Sequence, residues 1–204
     1  NLVTTIDMYI FYAAMGTGVN ATTLYGVYSG EYIVLQNVPV ALAAAMSTAS
    51  IPAISSSWSL RDYRQTKEHI RSGIRITMLI LIPSAVGMSV LAYPIIGMIF
   101  PQKETIITST MLLAVGSPGV VFFGLSTLTN GILQAIGEVK APLKNSAIAL
   151  VWHCIITFAL LFFTPLGLYS LVIGNCIYGL QVCYLNQKSL RKKTHYKQEI
   201  RRTY

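Results

Sequence analysis

Long charge-free apolar runs separated by short polar connectors dominate the chain. Runs that are uncharged or nearly so occupy residues 2–15, 32–54, 76–100, 106–136, 146–164 and 166–185. Each predicts a membrane-crossing helix, so the expected fold is all-α with six spans. The 25 residues of the third run would extend about 37 Å as a helix, enough to cross a hydrocarbon core about 30 Å thick with some tilt. The first run is short for a span. The fourth, with 31 residues, is too long for one upright span, and GSPG at 116–119 predicts a kink or an unwound turn near its middle.

The third and fourth runs are also rich in helix breakers. Pro83, Gly87, Pro94 and Gly97 would each weaken a water-exposed helix. In a bilayer they are tolerated where neighbouring helices or hydroxyl side chains re-satisfy the freed carbonyls. Pro83, Gly87, Pro94 and Pro118 are therefore hinge candidates, against the simpler reading that Pro and Gly are common in membrane helices.

Composition agrees with the pattern. The 204 residues are 53% hydrophobic and 11% charged, with mean hydropathy +0.58, whereas soluble domains carry about 25% charged residues. The chain reads as an integral membrane protein. A net charge of +8 would suggest nucleic acid in a soluble protein, but here its placement decides otherwise. Alternate connectors fall on opposite sides of the membrane. One side collects Arg61, Arg64, Lys67, Arg71, Arg75, Lys140, Lys144 and the seven basic residues of KSLRKKTHYKQEIRR, while the other has only Lys103. The positive-inside rule then places both chain ends in the cytoplasm, with 16–31, 101–105 and 164–167 outside. The surplus is a topology signal with a secondary affinity for anionic lipid headgroups, and no nucleic-acid partner is expected.

The organisation expected is a helical lobe at 1–187 followed by a basic cytoplasmic tail at 188–204. The connector 55–75, with Trp58, Leu60, Tyr63 and Ile70 among charges, suits either a helix lying in the interface or a solvated loop. His69 and His195 read as surface residues. Cys154, Cys176 and Cys183 lack metal-ligand spacing and read as small buried hydrophobes. The opening NLVTTIDMYIFYAAM, without an initiator methionine, reads as a piece of a longer chain.

Three stretches carry a family resemblance: LYGVYSGEYIVLQNVPVALAAAMSTASIPAIS, IRITMLILIPSAVGMSVLAYPIIGMIF and LTNGILQAIGEVKAPLKNS. In this order they resemble the polysaccharide biosynthesis and SpoVB/MurJ-like branch of the multidrug/oligosaccharidyl-lipid/polysaccharide exporter superfamily. The resemblance covers nearly the whole chain. It implies two six-helix lobes facing a central cavity and movement of lipid-linked saccharides or peptidoglycan precursors between leaflets. This chain resembles the second lobe. A first lobe of the same protein would then be its partner, and the basic tail would lead into the two further helices that many members carry.

Polar groups inside a bilayer are costly and mark functional candidates. Asp7, in NLVTTID, resembles the start of the family's seventh helix and is an ion-coupling candidate, with an interhelical bond as the alternative. Glu31 stands at the expected outer mouth of the second span and reads as interfacial. Gln36 and Asn37, just before Pro39, could bind sugar hydroxyls without carrying charge. Asn130 and Gln134, spaced i, i+4 near Ser126 and Thr127, share one helix face. These four amides are the substrate-site candidates, with helix-to-helix bonding as the alternative. His153 reads as a neutral histidine bonded to a neighbouring helix or as a proton-linked group. MurJ-like flippases resemble one another in carrying cavity arginines, one of them shortly before the proline of this span. YIVLQNVP has none, which favours lipid-linked saccharides as a class over lipid II in particular.

The expected function is a flippase of the bacterial cytoplasmic membrane, working by alternating access on a lipid-linked oligosaccharide or cell-wall precursor. It would need no cofactor or metal. The alternative is a cation-coupled drug or metabolite antiporter of the same superfamily. A membrane-embedded glycosyltransferase or polymerase is remote, because Asp62 and Glu68 in the longest connector lie among basic residues without the spacing of a metal-binding acidic pair.

Overall fold

The computed structural model describes residues 2–100 and 104–194. Among them every regular element is helical. The order is α1 (Leu2–Met15), α2 (Val19–Val27), a π-helical turn (Tyr28–Tyr32), α3 (Ile33–Ser59), α4 (Tyr63–Val90), α5 (Ala92–Ile99), α6 (Ile106–Ala135), α7 (Lys140–Phe163) and α8 (Tyr169–Thr194). Four helices are long and apolar enough to cross a membrane: Val19–Ser59, Tyr63–Val90, Ile106–Ala135 and Lys140–Phe163. α1 is apolar but has only 14 residues, and α8 mixes apolar residues with amides and a basic last turn. The chain is a multi-pass membrane protein.

Several expected boundaries are corrected. The stretch 16–31 is not an extended connector, because α2, the π-turn and α3 form one 41-residue helix from Val19 to Ser59. Proline is absent from VNATTLYGVYSGEY. Its Tyr25, Tyr28 and Tyr32 rings stack in sequence at centroid distances of 5.8 and 5.7 Å, which gives this segment a buried face of its own. The connector 55–75 is neither an interfacial helix nor a loop. α3 and α4 extend through it and meet in a tight turn at residues 60–62. The Asp62 side chain accepts a bond from the Gln65 backbone N–H at 2.9 Å and caps α4. Thr66 donates to Ser57 at 3.0 Å across the hairpin.

The run at 76–100 is two helices, interrupted at Leu91. Pro83 and Gly87 lie inside α4. Pro94 lies in the first turn of α5, where its missing N–H has no intrahelical partner to lose. The unwound turn expected at GSPG is absent: α6 runs unbroken through Pro118. Pro118 cannot donate to the carbonyl of Ala114, but Ser117 donates to that oxygen at 3.0 Å and Ser89 of α4 at 3.4 Å. Hydroxyls replace the lost backbone bond and let the helix continue. At the far end, residues 188–194, expected in the tail, continue α8. Lys103, His195 and the rest of the tail to residue 204 lie outside the described residues.

α6 is the hub, packed against α3, α4 and α8, while α1 packs on α7. Small residues allow the close approach. A Cβ at Gly116 would collide with the fully buried ring of Tyr32, and one at Gly131 with the Ser47 hydroxyl. α6 ends on Gly137 with φ +84°, where Glu138 N–H donates to Leu133 at 2.8 Å and Gly137 N–H to Gln134 at 3.0 Å. Only glycine takes this left-handed cap without strain, and the cap turns the chain directly into α7.

Candidate functional site

The helices enclose two polar regions. The first is a cavity of about 230 Å³ between α1, α3, α6, α7 and α8, whose lining includes Thr4, Gln36, Asn37, Asn130, Asn175 and Tyr178. Among the described residues no charged one lines it. Three of the four expected amides, Gln36, Asn37 and Asn130, therefore converge on one space. Gln134 does not: it is exposed and contributes nothing to the lining. Four residues beyond Asn130 it stands about 6 Å further along the axis, in the last turn of α6, beyond the cavity.

These amides differ in how they are held. Asn130 Oδ1 accepts from Asn186 of α8 at 2.7 Å. Asn186 Oδ1 in turn accepts from Asn145 of α7 at 2.9 Å, and Asn145 also donates to Ser189 at 3.1 Å. Asn130 thus lines the cavity and ties α6 to α8 at once. Gln36 is 3% exposed and its Nε2 has no hydrogen-bond partner among the described residues. Space for it exists because residue 119 is glycine: a Cβ there would lie 3.1 Å from Gln36 Nε2. Sequence reasoning missed Asn175 and Tyr178, although Asn175, Tyr178, Val182 and Asn186 share one face of an uncharged stretch of α8 by spacing, a signal that could have found them.

The second region is sealed. Asp7 and His153 are both fully buried, and His153 Nε2 lies 2.7 Å from Asp7 Oδ1. His153 Nδ1 lies 3.0 Å from the Gly174 carbonyl, an acceptor only, so Nδ1 carries a proton. Tyr28 O–H donates to Asp7 Oδ2 at 2.9 Å, and the Tyr178 ring stands edge-on to the imidazole. With Nδ1 protonated, the Asp7–His153 contact must hold a second proton, on Nε2 or on Oδ1. That proton is shared across the contact, as histidinium with carboxylate or as imidazole with carboxylic acid. His153 is bonded to two neighbouring helices, α1 through Asp7 and α8 through Gly174. Glu31, read as interfacial, is instead 6% exposed in the π-turn, with Oε2 unpartnered among the described residues. Asp7 is thus not the only deeply placed carboxylate.

A polytopic helical membrane protein with an uncharged hydrogen-bonding cavity beside a buried acid–base pair defines the class. The family model described as "Lipid II flippase MurJ" matches residues 13–204, and the chain belongs to that family. It is 28% identical over 116 residues to the lipid II flippase MurJ of Bacillus subtilis (strain 168), covering 56% of this chain and 21% of that protein. It is 27% identical over 143 residues to the MurJ of Thermosipho africanus (strain TCF52B), covering 68% and 28% respectively. It is also 27% identical over 176 residues to the probable multidrug resistance protein NorM of Synechocystis sp. (strain ATCC 27184 / PCC 6803 / Kazusa), covering 82% and 36%. The chain thus spans between about a fifth and just over a third of the length of these relatives. No solved structure matches.

Proposed function

We propose that this chain is one lobe of a two-lobe flippase that moves a lipid-linked saccharide precursor across the cytoplasmic membrane by alternating access. The uncharged cavity carries this reading. Its amides and hydroxyls match the hydrogen-bonding pattern of sugar hydroxyls. Its volume of about 230 Å³ falls below the roughly 300–1,000 Å³ of complete small-molecule sites, as one wall of a larger site would. α1 and α8 complete six spans with the four long helices. Both chain ends face the cytoplasm, where the basic α3–α4 hairpin, the α6–α7 turn and the end of α8 gather. The relatives named lipid II flippases make lipid II a member of the substrate class. The cavity has no cation for its diphosphate, so charge recognition at mid-depth belongs to the other lobe. Family membership favours transport over the glycosyltransferase or polymerase alternative.

The test is flipping of a labelled lipid-linked saccharide by the full-length protein in vesicles. Gln36→Ala, Asn37→Ala and Asn175→Ala should each reduce flipping at normal membrane abundance. Unchanged flipping in all three would remove the cavity as the saccharide site.

The Asp7–His153 pair favours a second element, proton coupling. Loss of the shared proton would leave a carboxylate facing an imidazole lone pair in a sealed site, an arrangement that must rearrange or admit a cation. Asp7→Asn reproduces the hydrogen bonds of the acid form, donating to Nε2 and accepting from Tyr28. Transport by this variant should persist but lose its dependence on the proton gradient. Unaltered gradient dependence would leave the pair a structural bond only.

A further inference from the structure

We propose that a second cavity, formed by the α6–α7 turn, the start of α7 and the end of α8, binds a lipid-borne phosphate group at the membrane surface. It has a volume of about 340 Å³, and Lys140, Lys144, Lys192 and Lys193 all line it, together with Glu138 and Ser189. Among the described residues Glu138 is the single carboxylate in the lining, and it is paired with Lys193 at 2.5 Å. Among the described residues no carboxylate pairs with Lys140, Lys144 or Lys192.

Ordinary helix electrostatics account for only half of this arrangement. Lys192 and Lys193 belong to the last turn of α8, where cations are favoured by the helix dipole. Lys140 and Lys144 occupy the first two turns of α7, where the same dipole disfavours them, and as an i, i+4 like-charge pair they also repel. α7 has no acidic residue in its first turn and no side-chain cap. The positive-inside rule fixes which membrane face collects cations, but it does not require four lysines from two helices to converge on one concavity. A multivalent anion offsets all of these costs at once. Phosphate suits compact ammonium donors, and at a membrane surface the abundant carrier of phosphate is lipid.

The Ser189 hydroxyl fits the same ligand. Its oxygen accepts from Asn145 at 3.1 Å, which leaves its O–H free to donate. Through Asn145, Asn186 and Asn130 this serine is joined by side-chain hydrogen bonds to the wall of the uncharged cavity. Occupation of the lysine cavity therefore has a direct structural connection to the amides. The inference concerns binding and does not depend on what the uncharged cavity transports. Its ligand is either the diphosphate of a polyprenyl carrier or the headgroup of an anionic phospholipid, and the test separates the two.

Full-length protein in neutral detergent would be titrated with a polyprenyl diphosphate, with phosphatidylglycerol and with phosphatidylcholine, and bound lipid counted by native mass spectrometry. Lys140→Gln/Lys144→Gln/Lys192→Gln leaves the Glu138–Lys193 pair intact. It should weaken retention of the anionic ligand by roughly a hundredfold, since each lysine near an anionic surface contributes about fivefold in affinity. Arg64→Gln/Lys67→Gln/Arg75→Gln removes the same charge from the α3–α4 hairpin and should change little. The anionic lipid with the larger differential loss is the ligand. Equal losses in the two triple variants, or no preference over phosphatidylcholine, would overturn the proposal. Amine acetylation of the unmutated protein supplies an independent reading that needs no variant to fold. Lys140 and Lys144 should be protected by the anionic lipid relative to Lys67, and uniform reactivity would count against the site.

Discussion

The uncharged cavity and the Asp7–His153 cluster share three helices: Thr4 and Asp7 lie a turn apart on α1, Ser146 and His153 both belong to α7, and Gly174 and Asn175 are adjacent on α8. They are nevertheless built differently. The cluster is sealed: Asp7 and His153 expose nothing, and each Asp7 oxygen and each imidazole nitrogen has a partner. The cavity is open and neutral and keeps the Gln36 donor unpartnered. A buried charge is tolerated only with complete pairing, so the cluster has no bonding capacity left for a bulky ligand. A neutral amide can be left partly unsatisfied at much lower cost, which is what a site that must bind and release requires.

The largest expected effect breaks the sealed region. Asp7→Ala leaves His153 Nε2 without a partner in a closed site, and removing one member of a buried pair typically costs about 3–5 kcal/mol. Thermal unfolding of the full-length protein in detergent should show a large drop in Tm or a loss of folded yield. Asp7→Asn should recover most of it. A small loss in Asp7→Ala would mean that water enters the cluster and that the contrast between sealed and open regions is false.

Next in size is a packing change where α6 meets the π-turn. Gly116→Ala drives a methyl into the buried Tyr32 ring, and overpacking of this kind costs about 1–3 kcal/mol. Tyr32→Leu in the same chain should relieve part of that loss, giving a coupling of about 0.5–3 kcal/mol in a double-mutant cycle. Strict additivity would show that α6 and the π-turn do not meet at this point.

Within the cavity the comparison sharpens to two amides. Asn130→Ala removes a 2.7 Å bond to Asn186 and should cost about 0.6–2 kcal/mol, together with flipping. Gln36→Ala removes a side chain whose Nε2 has no partner. Its Tm should change less than that of Asn130→Ala while flipping falls at least as far. Equal Tm losses would assign both amides to helix packing.

How much of this was legible in the sequence follows from what each signal measures. Absence of charge located the apolar helices well: the first run matches α1 residue for residue, and the fourth differs from α6 by one residue. It located boundaries poorly wherever a helix continues past the apolar region. α3 and α4 carry on through a charged hairpin because Asp62 caps and Ser57–Thr66 bonds support them there. Segment 19–31 was read as a connector because polar and small residues masked its tyrosine ladder. The unwound turn expected at GSPG does not form, because Ser117 and Ser89 accommodate Pro118, and the run at 76–100 breaks at Leu91, three residues before Pro94. Rarity of intramembrane polar groups picked out Gln36, Asn37 and Asn130 correctly as neighbours. It could not pair Asp7 with His153, 146 residues apart, because such a contact has no local signature.

The smallest expected effect concerns the amide that periodicity placed in the cavity and the structure does not. Gln134 shares a face with Asn130 by spacing alone, but a four-residue step also rotates the side chain by about 40° and moves it about 6 Å along the axis. In the last turn of α6 that displacement carries it past the cavity and into exposure. No hydrogen bond of its side chain links α6 to another helix among the described residues, so Gln134→Ala should change stability by less than about 0.5 kcal/mol, as exposed substitutions usually do. Flipping should be unchanged, in contrast to Asn130→Ala one turn earlier. A loss of flipping with normal Tm would show that the substrate path continues along the α6 face beyond this cavity. The open region would then extend from the cavity toward the end of α6.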